Sequence, residues 1–542
     1  MSPEARLSLL LLPLLLLLLL QAPLNSANAG PGQDFTVVFP ENIADYHPTS
    51  PENHVWVTAL YDDTTVTVDS QDDTLDAGQT ERFHINLELK KLKIQSNSSN
   101  PSFLVSNKTT KVISNKDIVL QAVSNKNNSL QTAVIIPTDR LGTKYFIPPV
   151  PKIQGATIRD SITSINERGP FRLIIVNTDQ DNTVTVGGPA GTRQVSLKKN
   201  QVAQTWVLQN ESLQEVTAEK PVAVLFSHPC AFHQNCICRL LYALLPPATS
   251  DMKKFLVPPL FNDWAQTSVL LSETGSRREE PCSANQAFID TAGSAVLYRP
   301  GLLLPLVSEE NLGSCFVVKS IGDTNYAVIV VRKNETAGVQ IGDAALNRDI
   351  QQWQELGGTD YVSTNVSLTA DQNIIWHKSS KMAVYFVGRK DDVLFGNPAP
   401  ALSATPDSRG CVVVPEVLNI SSDPVSWQES VASCQTRDQK LASLSSEAFR
   451  RHVCSKLPRE SGVKEVWIGM RRSSVTGEWY WLDSTASVNE THWDEGSPGT
   501  VDGGQCVSMS LKNSKDFVWQ DQDCCKAANP LCYREPVLMP LS

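Results

Sequence analysis

Between about residues 34 and 400 the apolar positions fall in short alternating runs of Val, Ile and Thr, broken by Asn, Asp, Gly and Pro. Asp63-Thr64-Thr65-Val66-Thr67-Val68 and Asp181-Asn182-Thr183-Val184-Thr185-Val186 are typical: a turn residue, then an alternating strand. Stretches with helical period are few, so the region reads as mostly β, built of sandwich-like modules. Beyond residue 411 the pattern changes. A helical period runs through Val431, Cys434 and Leu441 in the stretch after Trp427, and short Trp- and Cys-bearing runs follow: Trp467-Ile468-Gly469-Met470, Trp479-Tyr480-Trp481-Leu482-Asp483, Gln505-Cys506-Val507 and Trp519-Gln520-Asp521.

The β-rich region repeats. Phe35-Thr36-Val37-Val38-Phe39-Pro40 is echoed by Tyr145-Phe146-Ile147-Pro148-Pro149 and Phe255-Leu256-Val257-Pro258-Pro259, at intervals of 110 residues (35, 145, 255). Apolar strands led by Lys116, Lys220 and Lys381 recur later in each unit. Periods this long indicate tandem domains rather than a solenoid. The expectation is three modules, at 34–142, 143–252 and 253–395, the last stretched by an insertion that a Cys282–Cys315 disulfide would close. The Pro-, Ser- and Ala-rich segment 396–410 reads as a linker to the C-terminal domain at 411–535.

Residues 1–29 combine Arg6, a Leu run and an Ala27-Asn28-Ala29 exit, the pattern of a secretory signal peptide. No later run is apolar and long enough for a membrane span. Eight Asn-x-Ser/Thr sequons, at Asn97, Asn107, Asn127, Asn210, Asn334, Asn365, Asn419 and Asn489, and an even set of 12 Cys agree with an extracellular, oxidising address. A net charge of −10 argues against nucleic acid as partner. His228, Cys230, His233, Cys236 and Cys238 lack regular zinc spacing; the three cysteines are read as disulfide-forming, one of them left to meet Cys411 or a second chain. Catalytic signatures are missing: there is no G-x-S-x-G turn, H-E-x-x-H helix or Gly-rich phosphate loop, so no enzyme is expected.

Two resemblances sharpen this. Pro221-Val222-Ala223-Val224-Leu225-Phe226-Ser227-His228-Pro229-Cys230, Cys236-Ile237-Cys238, Leu245-Pro246-Pro247 and Ile136-Pro137-Thr138-Asp139-Arg140-Leu141-Gly142-Thr143-Lys144-Tyr145 are similar to the N-terminal region of the IgG Fc-binding protein family, over most of 34–400. The large mucosal members of that family continue into von Willebrand type D repeats, and this chain has none, so antibody binding is not carried over. The resemblance implies a secreted β module of mucus and extracellular matrices.

The C-terminal Trp and Cys landmarks, together with Leu441-Ala442-Ser443-Leu444, Trp493, Cys524 and Cys532, resemble a C-type lectin-like domain, which implies an α+β fold. The resemblance implies Cys434–Cys532 and Cys506–Cys524 bridges, with Cys454–Cys525 remaining, unless Cys524 and Cys525 exchange roles. It further implies that Trp467, Trp479, Trp481 and Trp493 are core aromatics and that Asp494, Glu495, Ser497, Pro498, Gly499, Asp502, Gln520 and Asp521 form the ligand loop. Calcium-dependent members use Glu-Pro-Asn or Gln-Pro-Asp in this loop and Trp-Asn-Asp on the next strand. Here Ser497 and Gly499 flank Pro498, Gln520 stands for the Asn, and only Asp521 keeps its carboxylate. Calcium takes six to eight oxygen ligands. No cofactor is therefore expected; calcium would need a relocated site using Asp521 with Asp494, Glu495 and Asp502. The expected function is extracellular recognition of a protein or unusual glycan without the usual calcium site, with possible self-association through the β-rich arm. The alternative is a structural or adhesive component of mucus or matrix.

Overall fold

The computed structural model describes residues 30–44, 49–89, 103–127, 129–151, 171–189, 191–207, 213–231, 238–249, 251–261, 264, 266–285, 287–346, 352–390, 393–457, 462–483, 492–500, 503–512 and 517–541. The expected leader, Asp502, His233, Cys236 and the sequons at Asn97, Asn210 and Asn489 lie outside these residues. The chain divides into two compact units, residues 1–412 with 539–542, and residues 413–538. No described helix is long and apolar enough to cross a membrane.

The first unit is almost wholly β. A seven-stranded sheet forms around the long strand Thr110–Lys126, which pairs with Gly32–Val37, Glu52–Ala59, Thr64–Val68 and Ser129–Val134. An eight-stranded sheet forms likewise around Glu215–His228, which pairs with Phe171–Asn177, Asn182–Gly188, Gly142–Phe146 and Leu241–Leu244. Alternation decides which face each residue takes: Val55, Val57 and Ala59 of Glu52–Ala59 are fully buried on one face, whereas Phe171–Asn177 is buried on both, Leu173 and Ile175 entering one core and Ile174 and Val176 another.

Within the expected third module, 253–395, two sets of sheets share one buried core. Residues 253–305 form a two-stranded and a four-stranded sheet, residues 315–403 form two five-stranded sheets, and Leu256, Leu297 and Leu304 of the first pack with Val328, Tyr385 and Leu394 of the second. In each of the four systems a core strand turns back into a shorter one: Ser129–Val134, Leu241–Leu244, Leu302–Pro305 and Val393–Pro398. These four short strands touch one another in a closed ring, in that order. The hairpin missed in sequence has its core strand at Ser294–Arg299, preceded by Gly293 and no lysine. A Cβ at Gly293 would lie 1.8 Å from the Ser272 carbonyl oxygen, so the backbones can approach there only with glycine.

This arrangement corrects two expectations. Cys282 belongs to the 253–305 system, whereas Cys315 opens a strand of the next and is bonded to Cys411, not to Cys282. That bond also removes Cys411 as partner for the Cys230 cluster, where Cys230 pairs with Cys238. Residues 396–410 are not a loose linker. Val393–Pro398 pairs with Met382–Lys390, Ala401–Ser403 pairs with Cys315–Lys319, and the disulfide anchors the end of the segment. Closing 96 residues in one covalent loop contributes about 4–5 kcal/mol in the chain-entropy picture.

The second unit is α+β. Helix Trp427–Gln435 starts with a capping box, in which the Ser426 hydroxyl accepts from the Glu429 N–H and the Glu429 carboxylate accepts from the Ser426 N–H. The helix ends before Leu441, which lies in the short strand Lys440–Leu441, so the apolar stripe expected to reach Leu441 is split between two elements. A second helix spans Glu447–Lys456. The sheet runs Val417–Ile420, Asn529–Arg534, Glu465–Arg472, Cys506–Ser510, Trp519–Gln522. At its centre a Cβ on Gly469 would meet the Ser443 hydroxyl at 2.6 Å and the Leu441 carbonyl oxygen at 2.7 Å. Trp467 and Trp481 are buried. Trp479 and Trp493 are half-buried and pack against the same core, their rings 5.0 Å apart.

Candidate functional site

Two disulfides frame the expected ligand loop. Cys434 is bonded to Cys532, tying the first helix to the strand Asn529–Arg534, and Cys506 is bonded to Cys524 across the strands beside the loop. Cys454 and Cys525 are not bonded to each other, contrary to expectation: an even cysteine count does not require full pairing, and Cys525 is an exposed thiol beside the bonded Cys524.

The loop leaves the core at Trp493, which bridges to Trp519, and returns at Gln505, whose N–H donates to the Gln522 carbonyl at 3.1 Å. Between these points its polar groups are engaged with one another. The Gln520 side-chain amide donates to the Asp494 carboxylate at 2.5 Å, and the Asp494 N–H donates to the Trp519 carbonyl at 2.8 Å. The other Asp494 oxygen accepts from the Glu495 N–H at 3.0 Å, and the Asp494 carbonyl accepts from the Ser497 N–H at 3.0 Å. The Asp521 carboxylate accepts from the Gly499 N–H at 3.1 Å. The Ser497–Pro498 peptide is cis, and Glu495, Pro498 and Gly499 are exposed.

Sequence reasoning missed Arg472. It ends the strand Glu465–Arg472 and reaches over the half-buried Trp479 ring, 5.1 Å from its centre. From there it donates to the Thr500 carbonyl at 2.8 Å and to the Gly477 carbonyl at 3.0 Å. The only sequence signal was a basic pair, Arg471-Arg472, closing the Trp467-Ile468-Gly469-Met470 strand.

These donors do not fit calcium. The cation needs several oxygens converging with no N–H between them. Here a side-chain amide N–H already lies on Asp494 and a backbone N–H lies on Asp521. Among the described residues no three His, Cys, Asp or Glu side chains converge as metal ligands. Among the described residues the loop is drawn together by three hydrogen bonds to the Asp494 and Asp521 carboxylates and by the Arg472 guanidinium.

Comparison with known proteins fits this geometry. The family model for the lectin C-type domain matches residues 423–534, and the model for IgGFc binding protein matches residues 28–210 and 131–278. Lithostathine-1-beta of Homo sapiens is 31% identical over 116 residues, 21% of this chain and 68% of the relative. C-type lectin lectoxin-Phi1 of Philodryas olfersii is 26% identical over 113 residues, 20% of this chain and 72% of the relative. IgGFc-binding protein of Homo sapiens is 26% identical over 295 residues, 47% of this chain but only 5% of that relative. The chain thus carries a C-type lectin domain over residues 423–534, behind a β-rich region with IgGFc-binding protein domains.

Proposed function

We propose that this is a secreted recognition protein whose C-type lectin domain binds a protein or glycan through a loop held in shape without calcium. The domain content supports recognition of carbohydrate or protein. The finer reading rests on one observation: the Asp494 and Asp521 carboxylates are spent on the loop's own Gln520 and Gly499 donors. A loop ordered in this way presents a fixed surface of Glu495, Ser497, Pro498, Gly499 and Thr500, and selects partners by shape and hydrogen bonding. The four disulfides suit an oxidising compartment, and the β-rich unit serves as the arm that carries the domain.

The test is a glycan array and an affinity capture from mucosal secretions, each run with calcium and with chelator. The proposal expects ligand signals that chelator leaves unchanged and that Ser497→Trp, which blocks the loop, abolishes. Signals lost with chelator would refute the calcium-free reading. A structural role has one observation in its favour, the exposed Cys525 thiol, which could cross-link chains. A disulfide-linked dimer on a non-reducing gel that Cys525→Ser removes would support that role.

A further inference from the structure

The structure assigns N-linked glycans to Asn107, Asn127 and Asn334 and excludes them from Asn365 and Asn419, a partition that rests on the secretory address proposed above. A sequon states only that a sugar can be transferred; the folded surface decides whether a large hydrated group has somewhere to go.

The first three asparagines are exposed. Asn107 follows the strand Leu104–Ser106, and its side-chain contact, from the Gln201 amide at 3.0 Å, engages the carboxamide oxygen rather than the nitrogen that would carry sugar. Asn127 sits at the tip of the hairpin between Thr110–Lys126 and Ser129–Val134, with φ of 51°. Asn tolerates that left-handed conformation, which lets the hairpin turn at an exposed residue. Asn334 lies in the short 3-10 turn Lys333–Gly338 at the end of the strand Thr324–Arg332.

The hydroxyl residue of each of these sequons is instead bound into the fold. Thr109 donates to the Asn200 carbonyl at 3.0 Å, Ser129 is fully buried and accepts from the Leu240 N–H at 3.0 Å, and Thr336 is buried. Transfer must therefore precede these contacts, on the nascent chain, and folding must then leave the asparagine outside. In the transfer the carboxamide nitrogen displaces the lipid pyrophosphate from the anomeric carbon of a lipid-linked oligosaccharide. The N–C bond forms, the C–O bond to pyrophosphate breaks, and the nitrogen gives up one proton.

Asn365 and Asn419 fail the second condition. Asn365 lies within the strand Tyr361–Leu368, opposite Val328, and is half-buried there. Asn419 lies opposite Cys532 in the lectin-domain sheet, half-buried, with its carboxamide oxygen sealed from solvent. A glycan attached to either on the nascent chain would need room beside a half-buried strand position, so chains that received one there would fold poorly and be missing from the secreted protein.

The experiment uses the full chain secreted from mammalian cells, deglycosylated by peptide-N-glycosidase in heavy-oxygen water and read by peptide mass spectrometry. The expected result is labelled Asp in place of Asn107, Asn127 and Asn334 in most molecules, with Asn365 and Asn419 unlabelled. Label at Asn365 or Asn419, or any of the three exposed sites bare in most molecules, overturns the partition. A chain retained in the cell with none of its eight sequons labelled overturns the secretory address itself and the partition with it, a pattern distinct from mislocated sugar.

Discussion

Replacing Arg472 by Gln tests whether one guanidinium holds the ligand loop. The substitution removes the bonds to the Thr500 and Gly477 carbonyls, at 2.8 and 3.0 Å, and the contact over Trp479. Hydrogen bonds from a charged donor are worth roughly 1.5–3 kcal/mol when desolvated. Arg472 is half-buried, so about 0.5–1 kcal/mol each is the appropriate scale, with a further ~0.5–1 kcal/mol for the cation over the indole. The loss is roughly 1.5–3 kcal/mol, confined to the loop because Trp467, Trp481 and both disulfides remain in place. Local opening should become roughly ten- to 150-fold more frequent. Hydrogen exchange read by mass spectrometry would show this as faster exchange in peptides covering 492–500, while those covering Glu465–Met470 stay protected. Arg472→Lys should give an intermediate result, since an ammonium keeps the charge but cannot span both carbonyls from one plane. Unchanged exchange at 492–500 in Arg472→Gln would refute the reasoning.

Other expectations follow from the same structure. Removing Cys434–Cys532 with paired Ala substitutions should lower the lectin domain's unfolding free energy by about 4–5 kcal/mol, against ~3 kcal/mol for Cys506–Cys524, because the closed loops are 98 and 18 residues; denaturant titration followed by Trp fluorescence measures both. Glu41→Gln should destabilise the β-rich unit by about 3–5 kcal/mol, since Arg172, 2.7 Å away and 3% exposed, would be left as a buried charge, and a chemical melt that does not move would count against this. Burial, with Arg82 and His84 nearby, pushes His54 down to about 4 from an ordinary value of 6.5. The fold therefore favours neutral His54, its contribution being complete above pH 6.5 and lost as pH falls towards 4. Thermal melts at pH 7 and pH 4.5 should show a smaller difference for His54→Gln than for the native chain.

What could be read in advance depended on how local the signal was. The lectin domain announces itself because its Trp and Cys landmarks are dense and their spacing follows a fixed sheet order. The β-rich unit was legible as strands, but the second set of sheets inside the 253–395 region was not. The repeat was tracked by lysine-led strands, and the hairpin at Ser294–Arg299 begins from Gly293, whose role is visible only beside Ser272. Proline, serine and alanine between 396 and 410 signalled a linker, yet Ala401–Ser403 is held by pairing to a strand more than eighty residues earlier in the chain. The residues expected to form the ligand loop are near neighbours in sequence or on the adjoining strand, but the bonds among them are not written there. Asp494 meets Gln520 across 26 residues, and Arg472 meets Thr500 across 28. Such contacts are set by the sheet and carry no local pattern.

Calcium titration of the full-length protein by calorimetry tests the central claim most directly. A loop whose Asp494 and Asp521 carboxylates already accept from Gln520 and Gly499 should give no saturable calcium heat, and its thermal midpoint should be the same in calcium and in chelator. Micromolar calcium binding that disappears in Asp521→Asn would show instead that these bonds open to admit the ion, and the calcium-free account would be wrong.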